Sequence, residues 1–123
     1  MKIEKNTRER PVTALRKQEL LEDIAAYVDA HLTERVTLNI LADHFGVSVS
    51  TITQLFQSKA GTTFHQFLTD RRLTAAKALI LEGMPLEQVG KQVGYTDHSS
   101  FYRAFRQTVG MSPRDFKLGK KEN

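Results

Sequence analysis

The chain has no cysteine among its 123 residues. That excludes disulfides, thiol nucleophiles and cysteine-based zinc sites, and it fits a reducing compartment. No apolar run approaches the ~20 residues needed to span a bilayer. The N-terminal stretch MKIEKNTRERPVTALRKQ lacks the apolar core of a signal peptide. A soluble, cytoplasmic protein is expected. Strand signals are missing too, since no period-2 apolar run is bounded by turn residues. Histidines 31, 44, 65 and 98 show no metal-ligand spacing on one helical face. No metal or cofactor is expected, and no small-molecule site is evident.

What is present is ordinary globular material. The chain is 40% hydrophobic and 26% charged, which allows a packed core in one domain or two very small ones. The formal net charge is +4 and the pI about 9.5, a mild pointer to a polyanionic partner. The charge is uneven. Residues 1–35 hold seven basic and seven acidic side chains, 36–83 hold four and three, and 84–123 hold seven and four. The positive excess lies in the C-terminal third.

Helical spacing runs through the chain. Leu21, Ile24, Ala25, Val28 and Leu32 form one apolar stripe, predicting a helix over 16–32. Thr37 is placed to N-cap a short second helix with Leu38, Leu41, Ala42 and Phe45 inward, ended by Gly46. Ser48 is placed to cap a third, with Val49, Ile52, Leu55 and Phe56 inward, ended by Gly61. A long helix follows over 63–82, closed by Gly83 and the Met84–Pro85 break. Leu86, Val89, Gly90 and Val93 mark a fifth helix, stopped by Gly94. Either Thr96 or Asp97 caps the sixth, which carries Phe101, Ala104, Phe105 and Val109 and stops at Gly110. Ser112 and Pro113 read as N-cap and first position of a last short helix holding Phe116.

One unit is used twice. Leu38 matches Leu86 and Gly46 matches Gly94, both offset by 48. After one inserted residue, Ile52 matches Phe101, Phe56 matches Phe105, Gly61 matches Gly110 and Phe67 matches Phe116, all offset by 49. Core positions and glycines repeat while surface residues do not, the mark of a duplicated supersecondary unit. Each copy is a short helix, a turn at glycine and a second helix, which is a helix-turn-helix. A small residue four positions before the turn glycine, Ala42 or Gly90, allows close helix approach.

The outer face of each second helix is polar and free of acidic residues. In the first copy it holds Ser50, Thr51, Thr53, Gln54 and Gln57. In the second it holds His98, Ser99, Ser100, Tyr102, Arg103 and Arg106. Such a helix fits the ~12 Å major groove with its N-terminal residues against base edges. A 20-residue helix between the copies is about 30 Å long. That length suits successive major grooves, which recur every ~34 Å.

These motifs, LADHFGVSVSTITQLFQSKAGTTFHQFLTDRRLTAAKALI and LEQVGKQVGYTDHSSFYRAFRQTVGMSPRDF, resemble the AraC/XylS family of bacterial transcription regulators over about residues 17–118. The resemblance implies an all-α fold of seven helices with two tandem helix-turn-helix subdomains joined by a long linker helix. The expected boundaries are a tail at 1–15, a first subdomain at 16–62, a linker helix at 63–82, a second subdomain at 83–118 and a tail at 119–123. It also implies binding to double-stranded promoter DNA in the nucleoid, and activation through contact with RNA polymerase. The family's base-reading positions fall on Ser50, Thr53 and Gln54 in the first copy. In the second they fall on His98, Ser99, Ser100, Tyr102 and Arg103. Some relatives carry a large aromatic or an arginine where this chain has Ser50 and Gln54. The first copy is therefore expected to read bases weakly, through Gln54 to an adenine edge or through water. Arg103 is the stronger reader, as an Arg–guanine pair is worth about 1–3 kcal/mol of discrimination. Family members usually carry an effector or dimerisation domain, and this sequence matches only the DNA-binding part. A stand-alone regulator and a DNA-binding portion of a longer protein both stay open.

Thr37, Lys59, Arg106 and Arg114 sit where phosphate contact is expected, since more than half of protein–DNA hydrogen bonds go to the backbone. As plain surface groups they would simply be solvated. Arg71, Arg72 and Lys77 on the long helix are open to phosphate contact, but such residues are more often solvated or ion-paired, and for Arg72 the family resemblance implies a structural role at least as readily. Lys2, Lys5, Arg8 and Arg10 are diluted by Glu4 and Glu9, the pattern of a solubilising tail. Asp97, His98 and Ser99 are the residue types of a hydrolase triad, but sequence neighbours on a helix point apart. GVSVS at 46–50 lacks the second glycine and the preceding strand of a nucleophile elbow. No enzymatic activity is expected. The remaining alternative is a protein-interaction module binding polymerase or another regulator, with only non-specific DNA affinity.

Overall fold

The structure is a computed structural model that describes residues 14–119; of the tails expected at 1–15 and 119–123, residues 1–13 and 120–123 lie outside the described residues. Seven α-helices follow in order: α1 Ala14–Ala30, α2 Leu38–Phe45, α3 Val49–Leu55, α4 Phe64–Leu81, α5 Leu86–Gln92, α6 His98–Val109 and α7 Pro113–Lys117. There is no strand among the described residues. α1 runs from Ala14 to Ala30 rather than 16 to 32, because the chain turns at 31–34, where the Glu34 N–H bonds the His31 carbonyl at 3.0 Å. α3 does not end at Leu55. It continues as a π-helical turn over Phe56–Ala60, where the Gly61 N–H bonds the Phe56 carbonyl five residues back.

The helices divide into two compact units. The first comprises the described residues up to Ala30 with Val36–Phe67. The second comprises His31–Arg35 with the described chain from Leu68. The division falls within α4.

In the first unit, Ile24 and Val28 of α1, Leu41 and Ala42 of α2, and Ile52, Leu55 and Phe56 of α3 and its π turn are buried. The Phe56 ring packs against Phe64 and Phe67 of α4, with centroids 5.7 and 5.0 Å away. In the second unit the core is Leu73, Ala76, Ile80, Val89, Val93, Phe101 and Phe105, with Tyr95 and Phe116 packed against it. Each fully buried side chain of this size contributes about 1.5–3 kcal/mol, so the two small cores rest on a few large residues each.

The duplication read from sequence is physical. Phe56 meets Phe67 in the first unit, and their counterparts Phe105 and Phe116 meet at 5.7 Å in the second. The helix caps repeat as well. The Thr63 hydroxyl accepts the Gln66 N–H, and Ser112, offset by 49, accepts the Asp115 N–H, both at 3.1 Å. The inserted residue lies in the turn. Gly46 and the cap Ser48 are two residues apart, whereas Gly94 and the cap Asp97 are three apart. From cap to terminal glycine, Ser48 to Gly61 and Asp97 to Gly110, the count is the same 13.

The small residue before each turn does what its size permits. Ala42 is buried. Gly90 lets α5 lie so close to α6 that a Cβ there would stand 3.0 Å from Cβ and Cγ of Phe101. Gly94 is tighter. Its φ is +103°, and a Cβ would fall 2.2 Å from the Leu32 carbonyl oxygen and 2.8 Å from Arg72 Nε. No other residue fits there, for conformational and steric reasons together.

Candidate nucleic-acid interface

Each second helix is started by a side-chain cap that fixes where its exposed face begins. Ser48 accepts the Thr51 N–H at 3.0 Å, and the two hydroxyls bond at 2.9 Å. Asp97 accepts the Ser100 N–H at 2.7 Å and the Ser100 hydroxyl at 3.2 Å. The two pairs correspond at offset 49. The sixth helix is thus capped by Asp97, with the Thr96 hydroxyl bonding its carboxylate at 3.5 Å. The Ser100 N–H, then its hydroxyl, hold the Asp97 carboxyl below its ordinary range, with smaller help from Thr96 and Arg103.

These caps sort the reading candidates. Ser50, Thr53 and Gln54 are exposed on α3, as are His98, Ser99, Tyr102 and Arg103 on α6. Ser100 is half-buried with its hydroxyl committed to Asp97, and Thr51 is half-buried with its hydroxyl committed to Ser48. Both lie three residues after a capping side chain, the position from which a side chain reaches back to the cap.

On α6 the structure brings His98, Ser99, Tyr102, Arg103 and Arg106 together around one shallow, open depression with Gln107. Gln107, which is not among the candidates expected from sequence, lies one turn beyond Arg103 on the same stripe. Tyr102 is 41% exposed, a large ring standing at the surface. Arg103 and Arg106 give α6 two cations and it carries no carboxylate. On α3 and its π turn, residues 49–60 carry one cation, Lys59, and no carboxylate. Gln54 Nε2 donates to Ser50 Oγ at 3.5 Å.

The residues expected at phosphates are also placed. Thr37 N-caps α2, its hydroxyl accepting the Ile40 N–H at 3.1 Å. Lys59 is exposed within the π turn, Arg106 is exposed on α6, and Arg114 is exposed on α7. The long-helix Arg72 is not a surface group. Its Cζ lies 5.5 Å from the Tyr95 ring centroid, and its Nε is buried beside Gly94. It braces the turn of the second unit. Burial pushes the Tyr95 phenol above its ordinary value, against the opposing Arg72 charge and the Thr69 hydrogen bond.

No described helix is long and apolar enough to cross a membrane. Comparison with known proteins agrees with this geometry. A helix-turn-helix domain family model matches residues 41–118. The chain is 37% identical over 93 residues to the probable transcriptional regulator LumQ of Photobacterium leiognathi, covering 75% of this chain and 38% of that protein. It is 30% identical over 104 residues to the arabinose operon regulatory protein of Escherichia coli, covering 83% of this chain and 36% of that protein. It thus spans less than two-fifths of the length of these curated relatives. Among solved structures, the DNA-binding domain of the global transcriptional factor AdpA, in complex with a target DNA, superposes with a TM-score of 0.73. That likeness covers 80% of this chain and 90% of the other at 24% identity. With two capped helix-turn-helix units and this match over most of its length, the chain belongs to the AraC/XylS family of DNA-binding transcription regulators.

Proposed function

We propose that the chain is a sequence-specific DNA-binding regulator that places α3 and α6 in successive major grooves of one promoter. The carrying observation is the pair of exposed, carboxylate-free faces at the start of two equivalently capped helices. Arg103 reads a guanine, with His98, Ser99 and Tyr102 around it. Ser50, Thr53 and Gln54 form the weaker head. Thr37, Lys59, Arg106 and Arg114 contact phosphates. Ser100 serves the cap and contributes to reading only by setting the start of α6. Each element carries a different consequence: phosphate contacts give salt-dependent affinity, and base contacts give preference.

AdpA's complex with a target DNA supports this reading for a fold of the same kind. The family resemblance extends it to promoter activation through RNA polymerase, in the cytoplasm at the nucleoid. A non-enzymatic role follows from the same reading. A gel-shift titration over salt tests it. Nanomolar, salt-sensitive binding to one selected duplex, at least 10³-fold over random DNA, is expected. Equal weak binding to all duplexes would instead make the chain a protein-interaction module with non-specific DNA affinity.

A further inference from the structure

This inference rests on the reading above and names what the first unit reads. Three observations converge there. Gln54 Nε2 donates to Ser50 Oγ one helical turn back. That contact engages one amide N–H and leaves the second N–H and the oxygen available, side by side. A free amide donor and acceptor complement adenine N7 and N6–H2 in the major groove. Next to this stripe lies an apolar depression lined by Leu38, Thr53, Gln57, Thr63, Phe64 and His65. Thr53 and Gln57 are exposed, while Leu38 and Phe64 are half-buried and form its walls. Finally, residues 49–58 hold no cation at all, so the arginine or lysine that pairs most strongly with guanine O6 and N7 is missing there.

An A·T pair offers both matching partners on one edge: the adenine pattern and the thymine C5-methyl group. We propose that the first unit is an A·T reader, in which Ser50 holds the Gln54 amide on adenine and the Leu38–Phe64 depression receives a thymine methyl. Ser50 is then a positioning residue. The second unit, with Arg103, reads G·C. The bound site has two chemically unequal halves.

The test starts from a duplex selected from random DNA. The half-site whose preference survives Arg103→Ala is assigned to the first unit. Each of its thymines is replaced in turn by deoxyuridine, which removes one methyl and nothing else. At one or two positions the affinity should fall about fourfold, the value of one buried methylene-sized group at ~0.8 kcal/mol. In Leu38→Ala that penalty should vanish. Ser50→Ala should narrow the A·T-over-G·C ratio at the Gln54 position, and an equal fall in affinity for every duplex, with that ratio kept, would overturn its positioning role. A flat deoxyuridine scan with the wild-type protein, on a duplex it binds specifically, overturns the methyl seat without touching the DNA-reading assignment. Loss of all specific binding would overturn that assignment itself.

Discussion

The two helix-turn-helix units share one plan and differ in how tightly each is specified. Their caps, core phenylalanines and terminal glycines correspond at fixed offsets. Yet the first turn is open around Gly46, where a Cβ would meet nothing within 4 Å, whereas the second encloses Gly94 between Leu32 and Arg72. The first reading helix is neutral over 49–58 and relaxes into a π turn; the second stays α-helical for 12 residues and carries two arginines. π turns are rare and cluster at functional sites. A duplicated fold thus keeps its frame while its two exposed helix faces diverge in charge and shape, and the turns behind them in how closely they are packed.

The largest expected contrast is in the turns. Gly94→Ala adds left-handed strain and a collision with backbone, costing roughly 3 kcal/mol or more. Gly46→Ala, at φ +69° with open space, should cost only about 1 kcal/mol. Denaturant melts of both variants check this, and equal losses would break the comparison. Next come the readers. Arg103→Ala should remove about 1–3 kcal/mol of discrimination at one base step, and Gln54→Ala less, each at its own half-site. Competition binding against single-step duplex variants measures both; uniform weakening across all sequences would instead make Arg103 a phosphate contact.

A third contrast lies in the helix approach. Gly90→Ala gains about 1 kcal/mol of helix propensity but pushes a methyl onto Phe101, a cost of about 1–3 kcal/mol. A net loss is expected on melting, whereas Ala42 already holds its methyl in a buried position. Lys59→Ala should lower the slope of log affinity against log salt by about 1 without altering sequence preference. The smallest effect is titration of the caps. The Asp97 carboxyl is held low when folded, so its capping contribution is present above the ordinary carboxylate range and lost as pH falls through the folded value. Ser48 does not titrate. Amide shifts of Ser100 should move with acid while those of Thr51 stay still.

Much of this fold was legible. Apolar spacing located every helix, and Gly46, Gly94 and Gly110 marked their ends because a left-handed residue there favours glycine. The caps Ser48 and Ser112 were legible for the same local reason, and the structure settled Thr96 or Asp97 in favour of Asp97. The π turn was not, since Phe56–Ala60 carries the same inward pattern an α-helix would. The hydroxyl bonds of Thr51 to Ser48 and of Ser100 to Asp97 were not legible, because they depend on side-chain geometry. The roles of Leu38 and Phe64 were half visible: sequence placed Leu38 in the core, while the depression it forms with Phe64 depends on how α2 and α4 begin beside α3.

The most direct measurement compares the protein's affinity for a selected duplex with its affinity for two derivatives, each with one half-site scrambled. Unequal reading by two heads predicts that both scrambles weaken binding, and that scrambling the half sensitive to Arg103→Ala weakens it more. Equal affinity for all three duplexes would contradict the account.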